Sequence, residues 1–145
     1  MSSRGIIRQI IGAVVDVEFD YGELPLLYHA LDVVDGPVPI VLEVQQSIGD
    51  RMVRAIALGV TDGLQRGMVA VSRGTTIEVP VGEGTLGRIL NVVGDSIDNQ
   101  GEVLGPRKSI HRAPPAYSEL EASAHILETG IKVIDLIAPL VKGGK

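Results

Sequence analysis

The sequence predicts an all-β domain of about six short strands, a small barrel or sandwich, followed by a linker and the incomplete start of an α/β region. Three observations predict it. Apolar and polar residues alternate in the first half with the period of a half-buried strand, as in Val15-Asp16-Val17-Glu18-Phe19. Turn signals interrupt these runs at short intervals: Asp35-Gly36-Pro37, Gly49-Asp50, Asp62-Gly63 and Arg73-Gly74. Near Pro80 the period of two gives way to helical spacing.

The elements follow in order. Residues 5–11 are rich in β-branched Ile and predict a first strand, with Gly12 as a bulge or bend before a second strand at 15–19. Runs at 30–34, 40–45, 52–58 and 68–72 complete the set. Closing such strands into a barrel removes exposed sheet edges, which matters for a domain of about 75 residues. Residues 77–81 read as an edge strand or linker, because Pro80 has no N–H for a ladder. Leu86, Ile89, Leu90 and Val93 have the i, i+3, i+4, i+7 spacing of a helix face, with Gly94 placed to stop that helix. Asp98-Asn99-Gln100-Gly101 reads as a turn, and residues 107–117, with Pro114-Pro115, as an extended connector. Ser118 and Glu121 have capping-box spacing. Ile131, Ile134 and Asp135, with Val133, Leu136 and Ile137 beside them, predict a short helix that Pro139 ends.

Composition narrows the function. The 145 residues carry a net charge of −5, one Phe, three Tyr, no Trp and no Cys. Without Cys there is no disulfide scaffold, Cys-ligated zinc, iron–sulfur centre or thiol nucleophile. Mild acidity and scarce aromatics argue against a nucleic-acid partner, which needs a basic patch and stacking platforms. No apolar run approaches the roughly 20 residues of a spanning helix, and Ile6-Ile7 before Arg8 is too short for a signal peptide. The expectation is a soluble chain of cytoplasmic character, with any membrane role through partners.

Chemical motifs are few. Gly82-Glu83-Gly84-Thr85-Leu86-Gly87 matches G-x-G-x-x-G, in which glycines let a backbone approach a pyrophosphate. Pro80 in the preceding strand, Glu83 at the phosphate position and the lack of a following strand with an acidic end make it a structural turn. A kinase loop would also need a strand lysine and H-R-D, which are absent. Gly144-Lys145 supplies the end of a P-loop, but Pro139 stands where the first Gly belongs. Neither G-x-S-x-G nor H-E-x-x-H occurs, and His29, His111 and His125 lack metal spacing, so each reads as a surface or satisfied polar residue. Asp16 and Glu18 read as solvated, facing away from the apolar side of their strand. Glu119 and Glu121 fit a helix N-terminal turn. Asp135, beside an apolar face, reads as a structural hydrogen-bond or ion-pair partner. The residues alone assign no catalytic, cofactor-binding or metal site.

Several ordered blocks resemble the catalytic beta subunit of F-type ATP synthase. They are residues 10–19, Val41-Leu42-Glu43-Val44-Gln45-Gln46, Val53 to Gly59, Thr61-Asp62-Gly63-Leu64-Gln65-Arg66-Gly67, residues 77–102 around Thr85-Leu86-Gly87-Arg88-Ile89-Leu90-Asn91-Val92-Val93-Gly94, Ile110-His111-Arg112-Ala113-Pro114, and Leu127 to Leu136. Together they cover nearly the whole chain. The related alpha subunit usually has Gln where Glu128 stands and Ala where Val133 stands, and lacks the 41–46 strand, so the likeness is to beta. Asp95-Ser96-Ile97-Asp98 departs from the usual Glu-Pro-(Ile/Val)-Asp, which is expected to loosen a turn; Tyr21-Gly22 and residues 105–108 are also untypical.

The resemblance implies an N-terminal β-barrel over residues 1–78, followed over 79–145 by the incomplete start of an α/β P-loop nucleotide-binding domain. It implies a proton-translocating enzyme that makes ATP from ADP and phosphate with Mg2+ by rotary catalysis. It further implies alpha subunits in an alternating three-plus-three ring, a central gamma shaft, an indirect link to a membrane proton-channel sector, and a place on the cytoplasmic side of the inner membrane or the equivalent organelle face. The family's P-loop, general-base glutamate, adenine-stacking aromatics and helical C-terminal domain are expected past Lys145. These 145 residues are therefore expected to be an inactive N-terminal fragment that binds no nucleotide. The tail from about Gly94 is expected to pack poorly in isolation. The alternative is a stand-alone β-barrel interaction protein derived from the family, without catalytic activity.

Overall fold

A computed structural model describes residues 3–36, 39–120 and 125–143. Six antiparallel strands close into a barrel: β1 (Arg4–Ile11), β2 (Val14–Phe19), β3 (His29–Val33), β4 (Ile40–Ser47), β5 (Met52–Ala57) and β6 (Val69–Thr76), in the order β1-β2-β5-β4-β3-β6, with β6 returning to β1. Each strand expected from the sequence is present, with ends displaced by a few residues at most.

The alternation works as the period of two requires. Ile7, Val15, Val17, Phe19, Leu31, Val33, Ile40, Leu42, Val44, Val53, Ala55, Ala57 and Ala70 form one buried cluster inside the barrel. β1 and β2 are joined by the two-residue turn Gly12-Ala13, and Gly12 takes φ +59°, which such tight hairpins demand. The register slips between Ile7 and Gln9, between Val44 and Gln46, and between His29 and Leu31. Irregularities of this kind sharpen strand bending and help a short sheet close. Small residues line the narrow interior. A Cβ on Gly5 would stand 2.7 Å from both Phe19 Cζ and Val17 Cγ1, so the Phe19 ring occupies the space a side chain there would need.

After the barrel, β7 (Glu78–Pro80) pairs antiparallel with β8 (Arg107–Ser109). Pro80 ends its strand opposite Arg107, and residues 107–109, expected as part of an extended connector, are a paired strand instead. Between them no α-helix forms. Leu86, Ile89 and Val92 are exposed, and only Val93 of that region's helical pattern is buried. Glu83–Thr85 is a single 3-10 turn, Leu90 bridges Ser96, and Gly87 and Gly94 both take positive φ. Gly94 does not stop a helix. It lies against β7, where a Cβ would stand 2.8 Å from Pro80 Cδ and 3.0 Å from Val79 Cα. The helical spacing of 86–93 was overridden by polar side-chain contacts within the loop.

The chain divides into two compact units, Met1–Arg112 and Ala113–Lys145, so residues 79–112 share a unit with the barrel. In the second unit β9 (Ile126–Leu127) pairs with β10 (Leu140–Val141), and α1 (Lys132–Ile137) lies between them in sequence. That helix and its stop before Pro139 match the sequence expectation. Tyr117–Glu119 is a 3-10 turn, in which the Glu119 carboxylate accepts from the Ala116 N–H. Glu121, expected to complete a capping box with Ser118, lies outside the described residues. None of the second unit's described residues is buried. No helix among the described residues is long and apolar enough to cross a membrane.

Candidate functional site

The Gly-rich 82–87 turn was the leading phosphate-binding candidate from sequence, and its geometry is structural. Glu83 begins the 3-10 turn and puts an acidic residue in its first turn. The Thr85 hydroxyl is used internally, donating to the Gly82 carbonyl at 2.7 Å. Gly84 is needed for packing, because a Cβ there would stand 3.1 Å from the Leu104 carbonyl oxygen. Among the described residues, no group of three or more His, Asp or Glu is placed to hold a metal ion.

The same loop is organised by a guanidinium. Arg88 donates to both Asp98 oxygens at 2.6 and 3.0 Å, and also to the Ser96 hydroxyl and the Gly101 carbonyl. Asp98 additionally accepts from Ser96 Oγ and from the N–H groups of Ile89 and Gln100. Arg88 first, then the Ser96 hydroxyl, hold the Asp98 carboxyl far below the usual carboxylate range, against the effect of burial. The expectation of a loosened turn at 95–98 is thereby corrected. The Ser96 hydroxyl both accepts and donates, so it ties the turn together.

Asp135 is an internal acceptor in the second unit. Its carboxylate receives the Thr129 hydroxyl at 2.7 Å and the N–H groups of Thr129 and Gly130 at 3.0 Å. The Thr129 hydroxyl is the main cause of its lowered pKa. This matches the structural role expected for it.

The barrel's outer wall carries cross-strand ion pairs. Asp16 on β2 and Arg54 on β5 are register partners joined by two hydrogen bonds of 2.8 and 2.9 Å. Asp16 was expected to be solvated, but its side chain is only 4% exposed. It points outward and is covered by the Arg54 guanidinium. Glu18 pairs with Arg8 at 2.6 Å, and that contact lowers the Glu18 pKa. Arg73 makes a two-point contact with Asp32.

One polar cluster had no signal in the sequence. Glu43, on the outward face of β4, is 8% exposed. His111 Nε2 lies 2.6 Å from its Oε1, and Gln45 Nε2 donates to its Oε2 at 2.6 Å. The His111 ring stacks on Tyr28 with centroids 4.3 Å apart. His111 and Glu43 are 68 residues apart, so no local pattern could have joined them. The expectation that His111 is a satisfied polar residue holds. The Ser96 and Thr129 hydroxyls donate to Asp98 and Asp135 within their own turns. The arrangement suits a stabilised scaffold with a charged outer wall. Residues 7–74 match the β-barrel domain of the ATP synthase alpha/beta family.

Proposed function

We propose, from the premise that this chain carries the β-barrel domain of the ATP synthase alpha/beta family, that it belongs to the beta subunit of a proton-translocating F-type ATP synthase and serves assembly there. The observation that carries this reading is the closed six-stranded barrel over the matched residues, with the neighbouring Gly-rich turn committed to internal contacts. Family membership implies an oligomeric ATP synthase assembly. The choice of beta over alpha is supported by Glu128, Val133 and the strand Val41-Leu42-Glu43-Val44-Gln45-Gln46.

On this reading the parent enzyme makes ATP from ADP and phosphate, with Mg2+, by rotary catalysis driven by a proton gradient. Its alternating alpha and beta subunits surround a gamma shaft on the cytoplasmic side of the inner membrane or its organelle equivalent. Residues 1–78 are the barrel domain, and 79–145 lead into the nucleotide-binding domain. The barrel's share is mechanical. A closed sheet offers rigid walls and no free edge, so neighbours meet it through side chains and loops.

The test has two arms. Co-expressed with alpha-type subunits, the chain should enter a hetero-oligomer detectable by native mass spectrometry; persistent failure to associate counts against the assembly role. Isothermal titration with Mg-ATP should give no heat of binding. Micromolar affinity would place nucleotide contacts within these residues and end the division of labour proposed.

A further inference from the structure

We infer that residues 107–112 form a strap, latched onto the barrel wall by the Tyr28–His111–Glu43 cluster, which opens as a unit separate from the barrel. The inference does not depend on the proposed function.

The strap is stitched along its length. β8 pairs with β7, and Ile110 N–H donates to the Ile77 carbonyl at 3.1 Å. Ser109 Oγ lies 2.6 Å from Thr76 Oγ1 at the end of β6, and it also accepts the His111 N–H. These contacts deliver His111 to β4, a strand that pairs with neither β7 nor β8.

The receiving site is built for it. An outward carboxylate on a barrel strand is normally solvated, yet Glu43 is buried with both oxygens engaged, one by Gln45 from its own strand and one by His111. Lifting His111 leaves one Glu43 oxygen without its protein partner. Tyr28, under the imidazole, has φ +65°, a left-handed conformation that non-glycine residues rarely take. Its N–H donates to the Val44 carbonyl at 2.7 Å, which holds the ring's backbone to β4. Tyr28 and Glu43 are thus fixed by the barrel, and His111 is the part that arrives and leaves.

The barrel does not need the strap to close, because all six of its strands pair among themselves. Opening the strap costs the short β7–β8 ladder, the Ile110–Ile77 and Ser109–Thr76 hydrogen bonds and the latch, less than unfolding the six-stranded barrel.

Native-state hydrogen exchange on the full chain tests this. The Ile110 amide should exchange through an opening at least about tenfold more frequent than that of the barrel amides of Val17 and Ala55. In His111→Ala, Ile110 exchange and tryptic cleavage after Arg112 should both accelerate by about tenfold or more, with the barrel amides unchanged. His111→Phe, which keeps a ring to stack on Tyr28 but cannot bond Glu43, should fall between the two. Unchanged Ile110 exchange in His111→Ala overturns the latch. Exchange of Ile110 at the same rate as Val17 and Ala55 in the unsubstituted protein overturns the separate strap, and that measurement stands even if the variants fold poorly.

Discussion

Glycine at position 5 is set by one contact. The Phe19 ring fills the space beside it, so Gly5→Ala forces the ring or Val17 to move. Overpacking of this kind costs about 1–3 kcal/mol. Urea unfolding should show a lower midpoint with an unchanged slope. Leu31, fully buried on β3, tests the converse: Leu31→Ala should cost about 2–5 kcal/mol through lost burial and a residual cavity. The carboxylates have a directional pH consequence. Asp98, Asp135 and Glu18 all have folded-state pKa values below their ordinary ones. The unfolded chain therefore binds these protons first. Their contribution is complete above the ordinary carboxylate range, about pH 4, and is lost as pH falls through the depressed values. Asp98→Asn should lower stability at neutral pH and flatten the acid limb of a stability–pH curve measured by denaturant titration. An unaltered acid limb would show that the Arg88 contact does not couple to folding.

At the scale of elements, six strands were legible because each has one buried face and a clear period of two. The 82–106 loop was not. Its apolar residues happen to fall at helical intervals, but Arg88, Ser96 and Asp98 offer the backbone a different set of partners, and the backbone N–H groups of Ile89 and Gln100 donate to a carboxylate where a helix would need carbonyl acceptors. Ser96→Ala removes the hydroxyl that bonds to both Arg88 and Asp98. It should increase exchange at the Ile89 and Gln100 amides while leaving β1–β6 unaffected, measurable by the same hydrogen-exchange experiment. β8 was also hidden, since Arg107-Lys108-Ser109 has no apolar member and becomes a strand only because β7 lies beside it.

At the scale of the molecule, the two compact units meet in sequence at residues 112–113. Described residues from 113 to 120 are all exposed, and Tyr117 is 91% exposed. Brief chymotrypsin treatment should cut after Tyr117 before any site within strands β1–β6, releasing a fragment that keeps a β-dominated circular dichroism spectrum. Early cleavage inside β1–β6 would contradict the barrel as the stable unit. The second unit buries no described residue within itself, so its short helix and two-residue strands have little to hold them beyond local hydrogen bonds such as those on Asp135.

The sequence by itself determined the barrel strands, a break in the chain at Gly12, the stop at Pro139 and the likeness of residues 7–74 to the β-barrel domain of the ATP synthase alpha/beta family. All of these rest on local periods, backbone preferences or ordered blocks, which a linear chain displays directly. Only the tertiary structure decided that Asp16 is covered, that Gly94 abuts Pro80, and that His111 reaches Glu43. Those outcomes depend on which strands become neighbours when the sheet closes, and a carboxylate's surroundings are made by residues far from it in the chain.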